Sequence, residues 1–346
     1  MITWQDELTA LAPAPAAVIA NLAGRRRWAW FSNLTIAGGS ILLVGASGLY
    51  NLVLALLAHQ PALPAGIVLL AAALAAPVLW RAPRRLLARV LPFDPESAPA
   101  LLALVAVILV VGVQASYQAG HDALAAVSRS SQLQPVDVLG QEIPILILAL
   151  LGVGLFTRRG LSASLERLGV VRPAAWQILF ALAVAGLFIA ISQGAESLQR
   201  EIDPGLAHRL EQSTSHYYGG INGPYAIVVI ALAPGIAEEL FFRGALQPRL
   251  GILVAALAFA AVHTQYAITV DTLLVFTLGC GLGLLRKWLN TSAAITSHAA
   301  YNALAGLGIP GLLLPWAIAG EVLLTIAAVA LWLIGRKSSP EFSETP

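Results

Sequence analysis

Successive runs of predominantly apolar residues constrain this chain more than any single residue does. Each run is near the 20 or so residues that a helix needs to cross the hydrocarbon of a bilayer. Lipid offers no partner to an open backbone N–H or C=O, so such runs cross it as helices. They fall near 34–57, 63–80, 98–116, 136–156, 174–191, 224–242, 252–268, 272–285, 292–307 and 312–334. The expected fold is all-α, a polytopic membrane helical bundle of about ten transmembrane helices. Composition agrees, since 58% of the 346 residues are apolar and 11% are charged, where a soluble domain carries roughly 25% charged residues.

The basic residues set the expected topology. Alternating the spans from an inside N-terminus puts Arg25 to Arg27, Arg81 to Arg89, Arg158 to Arg172, Arg243, Arg249, Arg286, Lys287, Arg336 and Lys337 on one side. That is 17 of the 20 basic residues, with Arg129, Arg200 and Arg209 opposite. The positive-inside rule then gives an integral protein of the bacterial inner membrane with both termini cytoplasmic. Acids at Asp6 and Glu7 precede the Arg25 to Arg27 cluster, the reverse of the order in a cleaved signal peptide. Trp28 and Trp30 after that cluster are expected at headgroup level.

The net charge of +2, spread over short clusters between apolar runs, excludes nucleic acid as an expected partner. The lipid bilayer takes that place. The single cysteine, Cys280, excludes an intramolecular disulfide and a thiolate metal cluster. The longest polar stretch, Ser197 to Gly223, is expected to lie outside, where it either caps the site or, as favoured, is a solvated loop. No internal repeat is visible, and the Gly-Leu-Gly runs at 281–283 and 306–308 lack the context of a phosphate loop.

Against this apolar background, two adjacent carboxylates, Glu238 and Glu239, stand out. Ionisable groups at bilayer depth are costly unless paired or hydrated, and they mark functional sites. On an α-helix Glu239 and Arg243 face the same way, so the guanidinium can hold that carboxylate. Glu238 points about 100° away and is left for chemistry. The bland use of the same three residues is a buried ionic staple. The next span brings Phe259 and His263 one turn apart, and the ninth brings His298 and Asn302 to one face among small residues that permit close helix packing. With a rise of about 1.5 Å per residue, all of these can meet in the cytoplasmic half of the membrane. A carboxylate and a histidine sharing a water can act as general base and electrostatic partner. A second histidine and an amide can donate to a developing oxyanion. Glu142 and Glu321 are two further acids inside spans, each needing a partner, a proton or water.

Glu238-Glu239-x-x-x-Arg243, Phe259-x-x-x-His263 and His298-x-x-x-Asn302 resemble, in order and type, the three motifs of the CAAX prenyl protease and bacteriocin-processing (CPBP, Abi) intramembrane proteases. The resemblance runs from about Pro224 to Gly308, and Leu168-Gly-Val-Val-Arg-Pro173 is similar to the usual entry to that family's core. It implies an intramembrane endopeptidase acting on hydrophobic or membrane-protein substrates. By the resemblance, Glu238 and His263 activate the water, and His298 and Asn302 stabilise the oxyanion. Glu239, Arg243 and Phe259 support them. The favoured mechanism is metal-free, because no His-Glu-x-x-His pair is present. The zinc alternative uses Glu238, His263 and His298.

The expected domains are a cytoplasmic N-terminal segment (1–33), N-terminal transmembrane helices (34–172), a CPBP-like catalytic core (173–336) and a cytoplasmic tail (337–346). The Ala- and Leu-rich, Lys-poor composition is that of a high-GC bacterial protein, which argues against a prenylated substrate. The rival reading is a proton-coupled transporter or a non-enzymatic membrane scaffold, whose expected repeat symmetry the sequence lacks.

Overall fold

The computed structural model describes residues 11–23, 27–308 and 314–337. The expectations for Asp6, Glu7, Arg25, Arg26 and the tail after 337 lie outside them. Apart from an isolated bridge between Leu155 and Arg159, the regular structure among the described residues is helical. In order the elements are α1 (Ala14–Ala23), α2 (Arg27–Leu57), α3 (Leu63–Ala75), α4 (Arg81–Leu87), α5 (Ala98–Gly120), α6 (Ala123–Arg129), α7 (Pro135–Gly152), α8 (Leu161–Arg167) and α9 (Ala175–Ile202). They continue with α10 (Pro204–Tyr217), α11 (Gly223–Glu238), α12 (Gln247–Leu250), α13 (Ile252–Val262), α14 (Val270–Trp288), α15 (Thr291–Leu307) and α16 (Leu314–Lys337).

Every expected span contains a helix, yet among the described residues six helical runs are long and apolar enough to cross a membrane. A seventh counts if a bent pair is one span. In that pair the helix ending at Leu79 turns by 101° into α4. Pro77 supplies no N–H and Trp80 is extended, so the helix cannot run on. Arg84 then fixes the corner by donating to the carbonyls of Trp80 and Pro95. The expected spans 252–268, 272–285 and 292–307 are not of this class. Their helices have 11, 19 and 17 residues, and each is too short or too polar to cross alone. They are held among neighbours instead, as the buried alanines of α13 and α15 indicate. The long helices α2 and α16 turn Leu42, Leu43, Leu54 and Leu323 outward, where lipid solvates them.

One apolar cluster joins the two halves of the chain. Leu101, Leu104 and Val105 of α5 pack with Phe242, Leu246 and Leu250 and with Phe259 of α13. The N-terminal helices therefore buttress the elements that carry the motifs. At the other side of those elements, the Leu168-to-Pro173 segment ties down the start of α15. Thr291 donates through its hydroxyl to the Leu168 carbonyl and through its N–H to that of Gly169. Ser292 donates to the Val171 carbonyl. Gly169 has φ +78°, a backbone angle that favours glycine, and it lets the Arg286 guanidinium and the Thr291 hydroxyl approach closely.

Candidate active site

Pro234 shapes the first wall of the site. It has no N–H for the Ile230 carbonyl four residues earlier, and the Asn302 amide of α15 donates to that carbonyl at 3.3 Å. Gly235 allows the approach, because a Cβ there would come within 3.1 Å of Ala299. After Glu238 the helix widens. Glu239–Leu246 is a π-helix, not the α-helix the sequence suggested, and it closes with the Gln247 N–H bonded to the Phe242 carbonyl five residues back. The i,i+4 pair survives the change, since about four and a half residues per turn still bring Glu239 beside Arg243. Arg243 Nη1 lies 2.9 Å from Glu239 Oε1, with both side chains essentially inaccessible. Arg243 and Gln247, one step apart along this segment, reach the Gly279 and Gly283 carbonyls of α14 and hold the π-helix against it.

His263 stands just past the end of α13 rather than within a helix through 268, with ψ at 58°. Its Nδ1 donates to the Phe259 carbonyl at 2.7 Å, and its ring lies 4.5 Å from that of Phe259. Phe259 also meets His298 edge-on at 6.0 Å and receives the Arg243 guanidinium over its face at 4.3 Å. It is the apolar partition that fixes both imidazoles. α15 starts at Asn290, whose side chain accepts from the Ala293 N–H, and so presents His298 and Asn302 one turn apart. His298 Nδ1 donates to Glu239 Oε1 at 2.9 Å.

These bonds decide what Glu238 faces. Both Nδ1 atoms are engaged, so both Nε2 atoms are directed at Glu238, 4.0 Å away for His263 and 3.8 Å for His298. Those gaps are too long for direct hydrogen bonds and suit a bridging water. Neutral, each Nε2 is an acceptor; protonated, each is a donor. The expected zinc set fits a metal poorly, since neighbouring ligands about 2 Å from one tetrahedral zinc stand roughly 3.3 Å apart. No group of three His, Cys, Asp or Glu among the described residues is close enough to hold an ion.

Glu238, Phe259, His263, His298 and Asn302 line one cavity of about 890 Å³, within the range of small-ligand and peptide sites. It extends away from the arginine-rich end of the bundle toward α10. Leu210, Glu211 and Thr214 of α10 form part of its wall, so the stretch expected to be a solvated loop is in large part a helix covering the site. Sequence reasoning also missed Tyr218, Tyr266 and Tyr301, which line the same space. Their signal was a cluster of tyrosines beside the motifs, which no periodicity separates from ordinary surface residues. Glu142, an acid outside the three motifs, lies in this cavity as well, 7% exposed, with Oε2 lacking a hydrogen-bond partner. Glu321 is elsewhere, its carboxylate against Gly186 of α9.

The geometry therefore defines a helical membrane protein with a carboxylate and two imidazoles facing a buried cavity. Residues 221–304 match the family model described as type II CAAX prenyl endopeptidase Rce1-like. The chain thus carries an Rce1-like domain of the CPBP type, as the three motifs implied, and that domain contains all of them. The uncharacterized protein YpbD of Bacillus subtilis (strain 168) is 35% identical over 96 residues, covering 24% of this chain and 50% of YpbD. The chain thus spans about half the length of this curated relative. No solved structure matches.

Proposed function

We propose that the protein is an intramembrane endopeptidase that hydrolyses peptide bonds of hydrophobic or membrane-associated substrates, with a water activated by Glu238 and His263. The observation that carries this reading is the convergence of both Nε2 atoms on the Glu238 carboxylate, across gaps that suit a bridging water. In the proposed reaction the water oxygen attacks the scissile carbonyl carbon while Glu238 accepts the water's proton. His298 acts as an imidazolium, donating from Nε2 to the tetrahedral oxyanion, with Glu239 stabilising the positive ring through Nδ1. As the intermediate collapses, the C–N bond breaks and the proton held by Glu238, relayed by His263, passes to the amine. The Arg-rich end of the bundle faces the cytoplasm on this reading, the membrane is the bacterial inner membrane, and the substrates are unprenylated.

Cleavage of hydrophobic peptides by the purified protein tests the proposal. Asn302→Ala is expected to cut turnover by about 100-fold, the cost of one lost oxyanion donor. The variant also frees the Ile230 carbonyl. Its melting temperature is to be measured alongside, and an inactive but equally stable variant supports the donor role. Wild-type turnover would remove Asn302 from the mechanism. Extensive chelation is expected to leave turnover unchanged, with less than stoichiometric zinc by elemental analysis. One tightly bound zinc per chain, lost together with activity, would replace the glutamate mechanism by the zinc alternative.

A further inference from the structure

Glu142 of α7 lines the cavity that holds Glu238, and none of the ordinary uses of a helical glutamate accounts for it. The start of α7 is already served by Asp137, whose Oδ2 accepts from the Gln134 N–H at 3.0 Å. Glu142 lies beyond that first turn, where the helix dipole no longer favours an acid. Its helical neighbours three and four residues away, Val138, Leu139, Ile145 and Leu146, carry no charge. Its Oε2 is buried with no hydrogen-bond partner among the described residues. A carboxyl group kept at bilayer depth in this way marks function by default.

Packing fixes where along the site Glu142 stands. Val138, Glu142 and Leu146 are spaced by four and share one face of α7. Val138 packs in one cluster with Val229, and Leu146 packs against the cluster that holds Leu240. Glu142 therefore lies opposite the middle of the stretch between Val229 and Leu240, near Pro234, which lines the cavity with it. Pro234 precedes Glu238 by one helical turn, which puts Glu142 roughly 6 Å from the base along the bundle. It stands on the α10 side, because α7 begins there, with the Leu133 N–H bonded to the Tyr217 carbonyl. A peptide that reaches Glu238 from the α10 side passes this carboxyl group.

We infer that Glu142 binds the substrate of the proposed protease, a reading on which this assignment rests: its carboxyl group accepts a hydrogen bond from a backbone N–H flanking the scissile bond and holds the peptide with the scissile carbonyl against Glu238 and His298. A peptide that leaves water for a buried cavity brings N–H as well as C=O groups, and each is costly if left unpaired. The proposed donors, His298 and Asn302 of α15, serve the C=O side alone. The C=O and N–H of one trans peptide unit point in opposite directions, so a chain with its carbonyls turned to α15 turns N–H groups to the other walls. α7 is one of those walls, since α7 and α15 both pack on α11 and both line the cavity. A carboxyl group offers an acceptor oxygen whether ionised or protonated, so the contact does not depend on its charge.

The test uses the full chain in detergent, a hydrophobic peptide, and analogues in which each backbone N–H flanking the scissile bond is replaced in turn by an ester oxygen. At one position the ester is expected to lower wild-type kcat/KM about tenfold, the loss of one hydrogen bond. Glu142→Leu is expected to lose the same factor with the all-amide peptide and nothing further with that ester. It should melt at or above the wild-type temperature, because a buried polar group without a partner is gone; if it does not fold, Glu142→Met takes its place. Glu142→Gln keeps an acceptor oxygen and should stay within about threefold of the wild type. An ester scan that affects the wild type and Glu142→Leu alike would overturn the contact. A loss in Glu142→Gln as large as in Glu142→Leu would also overturn it, and would assign the carboxyl group to proton transfer. Affinity for the all-amide peptide, measured in Glu238→Gln with and without Glu142→Leu, separates this assignment from the protease reading. Binding that weakens about tenfold with Glu142→Leu, with no cleavage by the wild type, would support the peptide contact and end the protease reading. Cleavage by the wild type with equal affinities would do the reverse, and neither cleavage nor binding would overturn both.

Discussion

Glu238→Gln is expected to abolish peptide hydrolysis while leaving the fold intact or slightly more stable. The carboxylate is 8% exposed and one of its oxygens has no hydrogen-bond partner. Its nearest polar groups are imidazole nitrogens 3.8 and 4.0 Å away. A desolvated carboxylate that no direct hydrogen bond satisfies weakens the fold; the His298 ring offsets only part of that cost, and an amide of nearly the same shape removes it. The amide also cannot take a proton from water, so the step that generates the nucleophile is lost. A purified variant that melts at or above the wild-type temperature and shows no cleavage is the expected result. Wild-type cleavage in this variant would end the proposed mechanism and return the three motif residues to a purely structural use.

How much of this site could be read in advance depended on the range of the interaction concerned. The Glu239–Arg243 pair and the Phe259–His263 contact lie within one helical turn, where spacing alone fixes proximity. They were therefore legible even though the local backbone is π-helical rather than α-helical. The meeting of α11, α13 and α15 was legible only through depth counting and through the small residues around His298, among them Ala299, which the fold packs against Gly235. The tautomers were not legible. They depend on the Phe259 carbonyl and the Glu239 carboxylate, and the latter is brought to His298 from 59 residues away. Nor was the cover. The Ser197-to-Gly223 stretch is polar because Asp203 caps α10 and Arg209 pairs with Asp122 at 2.6 Å, and polarity of that kind looks the same in a free loop. The count of crossings was legible only in outline, because α13, α14 and α15 bury alanines and leucines against protein, and apolar residues of that kind look the same in a run facing lipid.

Glu239→Gln should act on stability where Glu238→Gln acts on chemistry. Glu239 Oε1 accepts from His298 Nδ1 at 2.9 Å and forms an ion pair with Arg243 Nη1, also 2.9 Å away, and the residue is 0% exposed. Removing its charge leaves the guanidinium buried without a counterion, a loss of about 3 to 5 kcal/mol for a broken buried pair. The neutral amide can still accept one hydrogen bond through its oxygen, and its NH2 then meets a donor instead of an acceptor. His298 loses the carboxylate that stabilises its imidazolium, so turnover should fall as well. The check is a thermal melt of Glu239→Gln beside the double variant Glu239→Gln with Arg243→Met. If the unpaired guanidinium is the cause, the single variant melts well below the wild type and the second substitution recovers much of the loss, because no buried charge remains. Equal melting of the single variant and the wild type would mean that the ion pair contributes nothing. A double variant that is less stable than the single would instead assign the loss to Arg243 itself, through its bond to the Gly279 carbonyl and its place over the Phe259 ring.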